Sequence, residues 1–344
     1  MIRPRLVVLS RAGRATLSEG DWASLEQRAR VQVVRCDEAP TRAEALALLA
    51  DADLLGATNR CLPHLDAALL DQLPRLRGIV LYATGYGHLD VDLLRSRGVG
   101  LSVLPGYATV AVAEHALAML LSHGTRLHLA NDRSRGLAPP DVSLRGVELA
   151  GRTLGIIGVG RIGGRLAQIA AGIGMEVLGT DVSAVATAEA VAHGVRMTSL
   201  SALLAGSDAV AVCASSVHGG AAILAGRELA QLRPGSFLVN VARADLVDTA
   251  AAVTAVRARH LRGYAVDDVV LDPAVDGDLL AEGRVLQTGH TAWWRDEVLA
   301  RGSTMWADRM AAAAVDSPVD AVTWPEAIGP RRTVRHEWVG QASA

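Results

Sequence analysis

Three glycines and one aspartate stand at the spacing of a dinucleotide-binding loop. Gly158, Gly160 and Gly163 form the pattern GxGxxG, and Asp181 lies 18 residues past the last glycine. In such a loop the first glycine permits a tight turn, and the second lets a pyrophosphate approach the backbone. The third lets the following helix pack closely, and the N–H groups at that helix's N-terminus attract phosphates. The loop therefore predicts a bound dinucleotide.

The residue at position 181 indicates which dinucleotide. A carboxylate there accepts hydrogen bonds from ribose hydroxyls and repels a 2′-phosphate. The next residues, Val182, Ser183 and Ala184, supply no arginine to bind such a phosphate. The sequence thus predicts NAD (NADH) rather than NADP. A glycine-rich turn without a ligand is the alternative, but an apolar run before the loop, a helical pattern after it and a further apolar run favour the dinucleotide.

An arginine and a histidine have side chains suited to 2-oxo acid chemistry. Arg243 ends the apolar run LVNVAR, and ligands of open parallel sheets bind at the carboxyl ends of strands. Its planar fork of donors matches coplanar carboxylate and carbonyl oxygens, although a surface arginine at a sheet edge is the alternative. His290, in VLQTGHTAWW, is one of 10 histidines. Taken alone, His290 is better interpreted as a packed core histidine. A role as general acid would require partner residues in an active site.

Small residues follow another apolar run, GIVLY. Ala83, Thr84 and Gly85 come directly after it. A turn of this kind exposes main-chain N–H groups that can cradle an anion. An ordinary strand-to-helix turn has the same composition, so the residues alone leave both interpretations open.

Apolar runs and helical patterns alternate in two series, which must position these side chains. The first series predicts strands, buried on both faces, at 5–9, 31–35, 53–57 and 78–82. The second predicts strands at 152–158, 175–180, 208–214, 236–242, 263–268 and 284–288. A long helix at 109–132 is predicted between them. This order is typical of an α/β fold with two doubly wound parallel sheets.

Composition excludes several classes of protein. The 344 residues carry a net charge of −2 and no run of basic residues, so no nucleic-acid partner is expected. The apolar N-terminal run is too short for a signal peptide, and no apolar segment reaches the ~20 residues of a membrane span. Three scattered cysteines suit a reducing compartment, and metal-ligand spacing is absent. We therefore expect a cytoplasmic protein with no metal and no membrane partner.

Several spaced motifs together resemble one family. The GxGxxG loop, LVNVARADLVD, GYAVDDVVLDP, the segment from LYATGYG to HALAML (81–120) and HTAW (290–293) resemble the D-isomer-specific 2-hydroxyacid dehydrogenases. The likeness runs from about residue 50 to 320 and is strongest to the glycerate dehydrogenase (hydroxypyruvate reductase) branch. It implies a flavodoxin-like substrate domain (1–108 plus 295–325) and a Rossmann NAD-binding domain (109–294). It also implies an active site in the cleft between them, and residues 326–344 remain as a polar tail.

The resemblance also implies catalytic roles. Arg243 would bind the substrate and polarise its carbonyl, and His290 would be the general acid. The turn of residues 83–85 would hold the substrate carboxylate. Asp272 would orient the imidazole and keep it charged, although the family usually has glutamate there. The family also usually has proline before the histidine, where this chain has Gly289.

The resemblance assigns further residues to the cofactor. Val241 and Ala242 would pass close to the nicotinamide, and Asp267 would contact its carboxamide. Arg161 and Ile162, within the glycine loop, complete the predicted cofactor site.

The function expected from the resemblance is NADH-dependent reduction of a small 2-oxo acid to the D-2-hydroxy acid, with the reverse oxidation. Hydroxypyruvate and glyoxylate are the first substrates expected, and the family suggests a homodimer. Two alternatives share the scaffold. One is an NAD-sensing, corepressor-like binding protein, and the other is a formate- or phosphite-type dehydrogenase.

Overall fold

The two predicted series of strands build two separate sheets. The structure is a computed structural model that describes residues 3–216 and 220–325, so the tail predicted at 326–344 lies outside the described residues. The strands are β1 (Arg5–Ser10), β2 (Arg30–Arg35), β3 (Leu54–Thr58), β4 (Gly78–Tyr82), β5 (Gly100–Ser102), β6 (Thr153–Ile157), β7 (Glu176–Thr180), β8 (Arg196–Met197), β9 (Ala209–Val212), β10 (Ser236–Asn240), β11 (Leu261–Val266), β12 (Val285–Gln287) and β13 (Ala321–Thr323).

Helices follow most of these strands, as expected where parallel strands need crossover connections. The α-helices are α1 (Glu19–Arg28), α2 (Arg42–Leu49), α3 (Ala67–Leu70), α4 (Val91–Ser96), α5 (Thr109–Thr125), α6 (Leu127–Ser134), α7 (Arg161–Gly172), α8 (Ala184–Ala192), α9 (Leu200–Gly206), α10 (Gly226–Leu229), α11 (Thr249–Arg257), α12 (Pro273–Ala281) and α13 (Asp296–Ala314).

The first sheet has the strand order β13-β5-β4-β3-β1-β2. Strands β1 to β5 run parallel, and their order is that of a flavodoxin-like sheet. Strand β13 pairs antiparallel with β5 at the edge. All five residues of β4 are buried, as expected of a strand covered on both faces.

The second sheet is wholly parallel, with the order β12-β11-β10-β9-β6-β7-β8. The chain adds strands outward from β6 to β8 on one side, and then outward from β9 to β12 on the other side. Ligands of such sheets bind at the switch point between β6 and β9, beyond the carboxyl ends of the strands. The glycine loop follows β6, and Arg243 follows β10. The predicted fold class, with two doubly wound parallel sheets, is confirmed.

The described residues separate into two compact units. Residues 3–107 and 295–325 form one, and residues 108–294 form the other. The chain returns to the first unit through α13, which packs on α1 and β4. Trp306 on α13 is fully buried, and its indole Nε1 donates to the carbonyl of Val80, 2.9 Å away.

The prediction of a single long helix at 109–132 is wrong. The structure has two helices, α5 and α6, because Arg126 adopts a left-handed conformation with φ of 60°. The Arg126 guanidinium donates to the carbonyls of Glu282 and Gly283, 2.6 and 3.3 Å away. These contacts lie more than 150 positions away in the sequence, so helical periodicity could not reveal the break.

None of the helices in the described part of the chain combines the length and the apolar character that crossing a membrane requires.

Trp306 tests the attachment of α13 to the first sheet. We expect Trp306→Ala to lower the free energy of unfolding by about 3–5 kcal/mol, because it removes a fully buried aromatic ring and leaves a cavity. Val319→Ala trims a side chain that is 44% exposed and should change stability by less than about 0.5 kcal/mol. Denaturant unfolding of both variants measures the difference, and equal losses would contradict this packing.

Candidate active site

The glycine loop has the geometry that each glycine predicts. Gly158 follows β6 with a φ of +87°, a conformation that favours glycine. A Cβ at Gly163 would lie 2.0 Å from the carbonyl oxygen of Gly158, so only glycine permits this close packing. A Cβ at Gly160 would meet no atom of the described residues within 4 Å. The loop therefore leaves open space at the position where a pyrophosphate would approach.

Asp181 is fixed against this loop. It follows β7, and its Oδ2 accepts a hydrogen bond from the main chain of Val159 at 2.8 Å. Its Oδ1 accepts from the main chain of Ser183, also at 2.8 Å. Carboxylate oxygens accept more than one hydrogen bond, so both retain capacity for ribose hydroxyls. Arg161 and Ile162 begin α7, whose first N–H groups have no acceptor within the helix.

Arg243 is carried by a turn that a buried asparagine shapes. Asn240, at the end of β10, is fully buried; its Oδ1 accepts from Ala242 N and its Nδ2 donates to Arg243 O. Val241 continues the ladder by donating to Val212 O at 3.3 Å. The Arg243 guanidinium donates to the carbonyl of Ala242 at 2.9 Å. Among the described residues no carboxylate lies within 4.0 Å of this guanidinium, so most of its donors remain for a ligand.

Asp267, the first residue after β11, organises the turn that carries His290. Asp267 is 4% exposed, and its carboxylate accepts hydrogen bonds from Thr288 Oγ1 (2.6 Å), Thr291 N (2.9 Å) and Ala292 N (3.2 Å). These three donors satisfy the hydrogen-bonding needs of a buried carboxylate. The structure thus gives Asp267 a positioning contact in addition to the nicotinamide contact that the resemblance implies.

His290 is held in an uncommon backbone conformation. Its φ is +63°, and Gly289 before it has a φ of +62°. Left-handed conformations are rare outside glycine and cost free energy, so the surrounding contacts must hold them. His290 N donates to the carbonyl of Asp267. The imidazole side chain is 44% exposed, and its Nδ1 lies 2.5 Å from Oδ1 of Asp268.

In the structure, His290 forms no ion pair with Asp272, the carboxylate that the resemblance assigns to it. Asp272 is exposed and is the N-cap of α12, where its Oδ1 accepts from Ala274 N at 2.8 Å. Asp268 pairs with the imidazole instead. Sequence reasoning missed Asp268 because the resemblance assigned this role to Asp272, which lies four residues further along the chain. The available signal was the doubled aspartate that ends GYAVDD.

The charge of Asp268 is stabilised by its neighbours. Burial by itself raises the pKa of this carboxyl. The hydrogen bonds from His290 and from Ala244 N, together with the positive charges of His290 and Arg243, outweigh burial and lower the pKa below its ordinary value. Because the folded-state pKa is lowered, the resulting stabilisation is present above the ordinary carboxyl pKa and is lost as pH falls through the lowered one.

The predicted substrate turn lies in the other unit and has free donors. Ala83 is buried, and Thr84 Oγ1 donates to Leu104 O at 2.7 Å, which fixes the turn after β4. Within the described residues, the main-chain N–H groups of Thr84 and Gly85 donate to no protein acceptor. Such groups can bind an anion.

Comparison with known proteins identifies the family. Residues 117–292 match the model of the D-isomer specific 2-hydroxyacid dehydrogenase, NAD binding domain. The chain belongs to the D-isomer specific 2-hydroxyacid dehydrogenase family. The family prediction is confirmed, and so is the prediction of an NAD-binding domain.

Two relatives and one solved structure illustrate the likeness. D-3-phosphoglycerate dehydrogenase of Mycobacterium leprae is 33% identical over 271 residues, covering 79% of this chain and 51% of that protein. Glyoxylate reductase of Thermococcus gammatolerans is 31% identical over 234 residues, covering 66% of this chain and 70% of that protein. D-lactate dehydrogenase of Aquifex aeolicus, complexed with NAD and lactic acid, is 24% identical with a TM-score of 0.73, covering 90% of this chain and 96% of that one. The chain spans about half the length of the phosphoglycerate dehydrogenases that it matches.

Gly160 offers a test of the dinucleotide loop. A methyl group there meets no described atom, so Gly160→Ala should fold normally. The methyl would occupy the space for the pyrophosphate, and we expect NADH affinity to fall about 10-fold or more, or roughly 1.4 kcal/mol. Gly172→Ala, at the far end of α7 and equally unobstructed, is the matched control and should bind NADH normally. Calorimetric titration with NADH measures both, and undiminished binding by Gly160→Ala would show that the pyrophosphate lies elsewhere.

Proposed function

We propose that this protein is an NADH-dependent D-2-hydroxyacid dehydrogenase. It reduces a small 2-oxo acid to the D-2-hydroxy acid and catalyses the reverse oxidation. One observation carries the proposal: at the carboxyl edge of the second sheet, one carboxylate contacts both an imidazole and the main chain next to an arginine whose guanidinium has unused donors. His290 contacts that carboxylate at 2.5 Å, and Ala244, next to Arg243, donates to it at 3.1 Å.

His290 is the proton donor in this mechanism. Its Nδ1 faces a carboxylate, so the opposite nitrogen, Nε2, is the one that can face the substrate. When the dinucleotide is bound, it supplies the hydride that reduces C2 of the 2-oxo acid. The proton on Nε2 passes to the carbonyl oxygen as negative charge develops there, and the histidine is left neutral.

Arg243 binds and polarises the substrate. A guanidinium presents paired donors to the coplanar oxygens of a carboxylate and its neighbouring carbonyl. The same donors stabilise the oxygen on which charge builds during reduction, which is the interaction that lowers the barrier. Within the first unit, the main-chain N–H groups of Thr84 and Gly85 lack a protein acceptor among the described residues, and such groups can bind a carboxylate.

The preference for NADH follows from Asp181. Its carboxylate is fixed by two main-chain donors and so cannot move away from an approaching phosphate. The 62% exposed Val182 beside it provides no positive charge. A 2′-phosphate would meet an immobile negative charge, whereas ribose hydroxyls would meet an acceptor.

Glyoxylate and hydroxypyruvate are the substrates that we propose to test first. The likeness to a glyoxylate reductase supports small 2-oxo acids. Residues 1–108 with 295–325 would bind the substrate, and residues 109–294 would bind the dinucleotide.

We further propose a homodimer in the cytoplasm. Leu127 and Leu137 leave apolar side chains 66% and 64% exposed, which suits an interface. The three cysteines are free thiols, including Cys61, whose Sγ donates to the carbonyl of Cys36, and free thiols suit a reducing compartment.

His290→Ala tests the proton donor. We expect kcat/KM for the best 2-oxo acid to fall at least ~100-fold, because the general acid is removed. His64→Ala, which changes an 88% exposed side chain, is the control and should retain activity. NADH oxidation is followed by absorbance with a panel of 2-oxo acids. Turnover that survives His290→Ala unchanged would refute the assignment.

Asp181→Asn tests the choice of dinucleotide. The amide keeps an acceptor for Val159 or Ser183 but removes the negative charge, so the ratio of kcat/KM for NADPH to that for NADH should rise about 10-fold or more. The unchanged enzyme should prefer NADH. A ratio that does not respond to the substitution would mean that another group selects the dinucleotide.

A further inference from the structure

We propose that Asp268 is the residue that positions the catalytic imidazole of His290, in place of the carboxylate at position 272. The inference rests on the proposed function, in which His290 donates the proton. Asp268 touches neither substrate nor dinucleotide in this scheme and acts only through its neighbours.

The distance supports the pairing, and the pairing in turn sets the tautomer of the imidazole. Asp268 Oδ1 lies 2.5 Å from His290 Nδ1, and the Asp268 side chain is 19% exposed against 44% for the imidazole. An ionised carboxylate only accepts hydrogen bonds, so Nδ1 must carry a proton to make this contact. The hydrogen bond on one ring nitrogen fixes the role of the other. Asp268 therefore turns Nε2 outward as the nitrogen that exchanges a proton with substrate.

Asp268 also contacts the main chain beside the second substrate-binding residue, Arg243. Its second oxygen, Oδ2, accepts a hydrogen bond of 3.1 Å from the main-chain N–H of Ala244, the residue directly after Arg243. One carboxylate thus fixes the imidazole on the 288–292 turn and the segment that carries the guanidinium. A carboxylate at position 272 has no such contact to the Arg243 segment in the described residues.

Two other carboxylates in this region are committed elsewhere. Asp272 caps α12 through Ala274 N, and Pro273 begins that helix. Asp267 is buried and accepts three hydrogen bonds from the 288–292 turn. Its charge stabilises the turn, while Asp268 remains available to the imidazole.

Four charged or titratable residues of the same unit are considered around His290, all among the described residues. Asp267 and Asp268 lie at the end of β11, and Arg243 lies after β10. His115 on α5 has its Nε2 3.8 Å from Asp267 Oδ1 and 3.0 Å from Thr288 Oγ1. Of these, Asp268 makes the direct contact, so removing its charge should act most strongly on the imidazolium.

The first test requires no enzymatic activity. In protein with 15N-labelled histidine, the ring shifts of His290 report which nitrogen carries the proton in the neutral form, and His290→Ala assigns the signal. We expect Nδ1 to be protonated in the unchanged protein and in Asp272→Ala. In Asp268→Ala, which removes the acceptor, we expect the proton to move to Nε2. An unchanged tautomer in Asp268→Ala would overturn the proposal.

The second test uses the pH profile of NADH-dependent reduction. The proton donor must be charged, so kcat/KM falls on the alkaline side. Asp268→Asn removes the negative charge beside the proton donor, and the alkaline fall of kcat/KM should move to lower pH. A merely structural loss would lower kcat/KM equally at every pH without moving the profile.

Asp272→Asn decides between the two carboxylates. If it moves the alkaline fall while Asp268→Asn does not, position 272 positions the imidazole and the proposal is wrong. If the unchanged protein reduces no 2-oxo acid, the proposed function fails, and the ring-nitrogen shifts still decide the pairing. The two failures are therefore distinguishable.

Discussion

The buried carboxylate of Asp267 is the constraint on which the candidate site depends. It directly follows β11, the second strand from one edge of the parallel sheet. A buried charge there cannot be left without donors, since burying an unpaired carboxylate is costly. The turn of residues 288–292 supplies these donors from its own backbone and from Thr288. To do so it curls over the strand end, with Gly289 and His290 both at positive φ. The imidazole is thus brought to the sheet edge as a consequence of satisfying a buried charge.

Two consecutive aspartates divide the electrostatic tasks at this edge. Successive residues at a strand end point in different directions, so Asp267 faces inward and Asp268 faces the partly exposed side. Asp267 stabilises the turn, and Asp268 contacts the imidazole and the main chain beside Arg243. Asp272, the carboxylate that the resemblance assigned to the imidazole, is instead the N-cap of α12. The negative charge beside the imidazole thus comes from Asp268.

Much of this molecule is predictable from local patterns, and the exceptions share a cause. Alternating apolar runs predict the parallel strands, because strands covered on both faces must be apolar throughout. The glycines at 158 and 163 are predictable because the constraints on them come from the neighbouring backbone. The break at Arg126 and the strands β5, β8 and β13 were not predicted. The break depends on the carbonyls of Glu282 and Gly283. The three short strands depend on pairing with other strands of their sheets, and β13 pairs with β5, which lies more than 200 residues away.

The sequence by itself determined the family, the two doubly wound sheets, the dinucleotide loop, and the identity of Arg243 and His290 as candidate side chains. These are carried by short motifs and by periodicity, whose physical causes act over a few residues. Only the tertiary structure decided which carboxylate meets the imidazole. Asp268 and Asp272 are equally acidic and lie four residues apart, so no local pattern separates them. The choice depends on where β11 ends, where α12 begins and how the 288–292 turn curls between them, and each of these is set by packing and hydrogen bonding across distant parts of the chain.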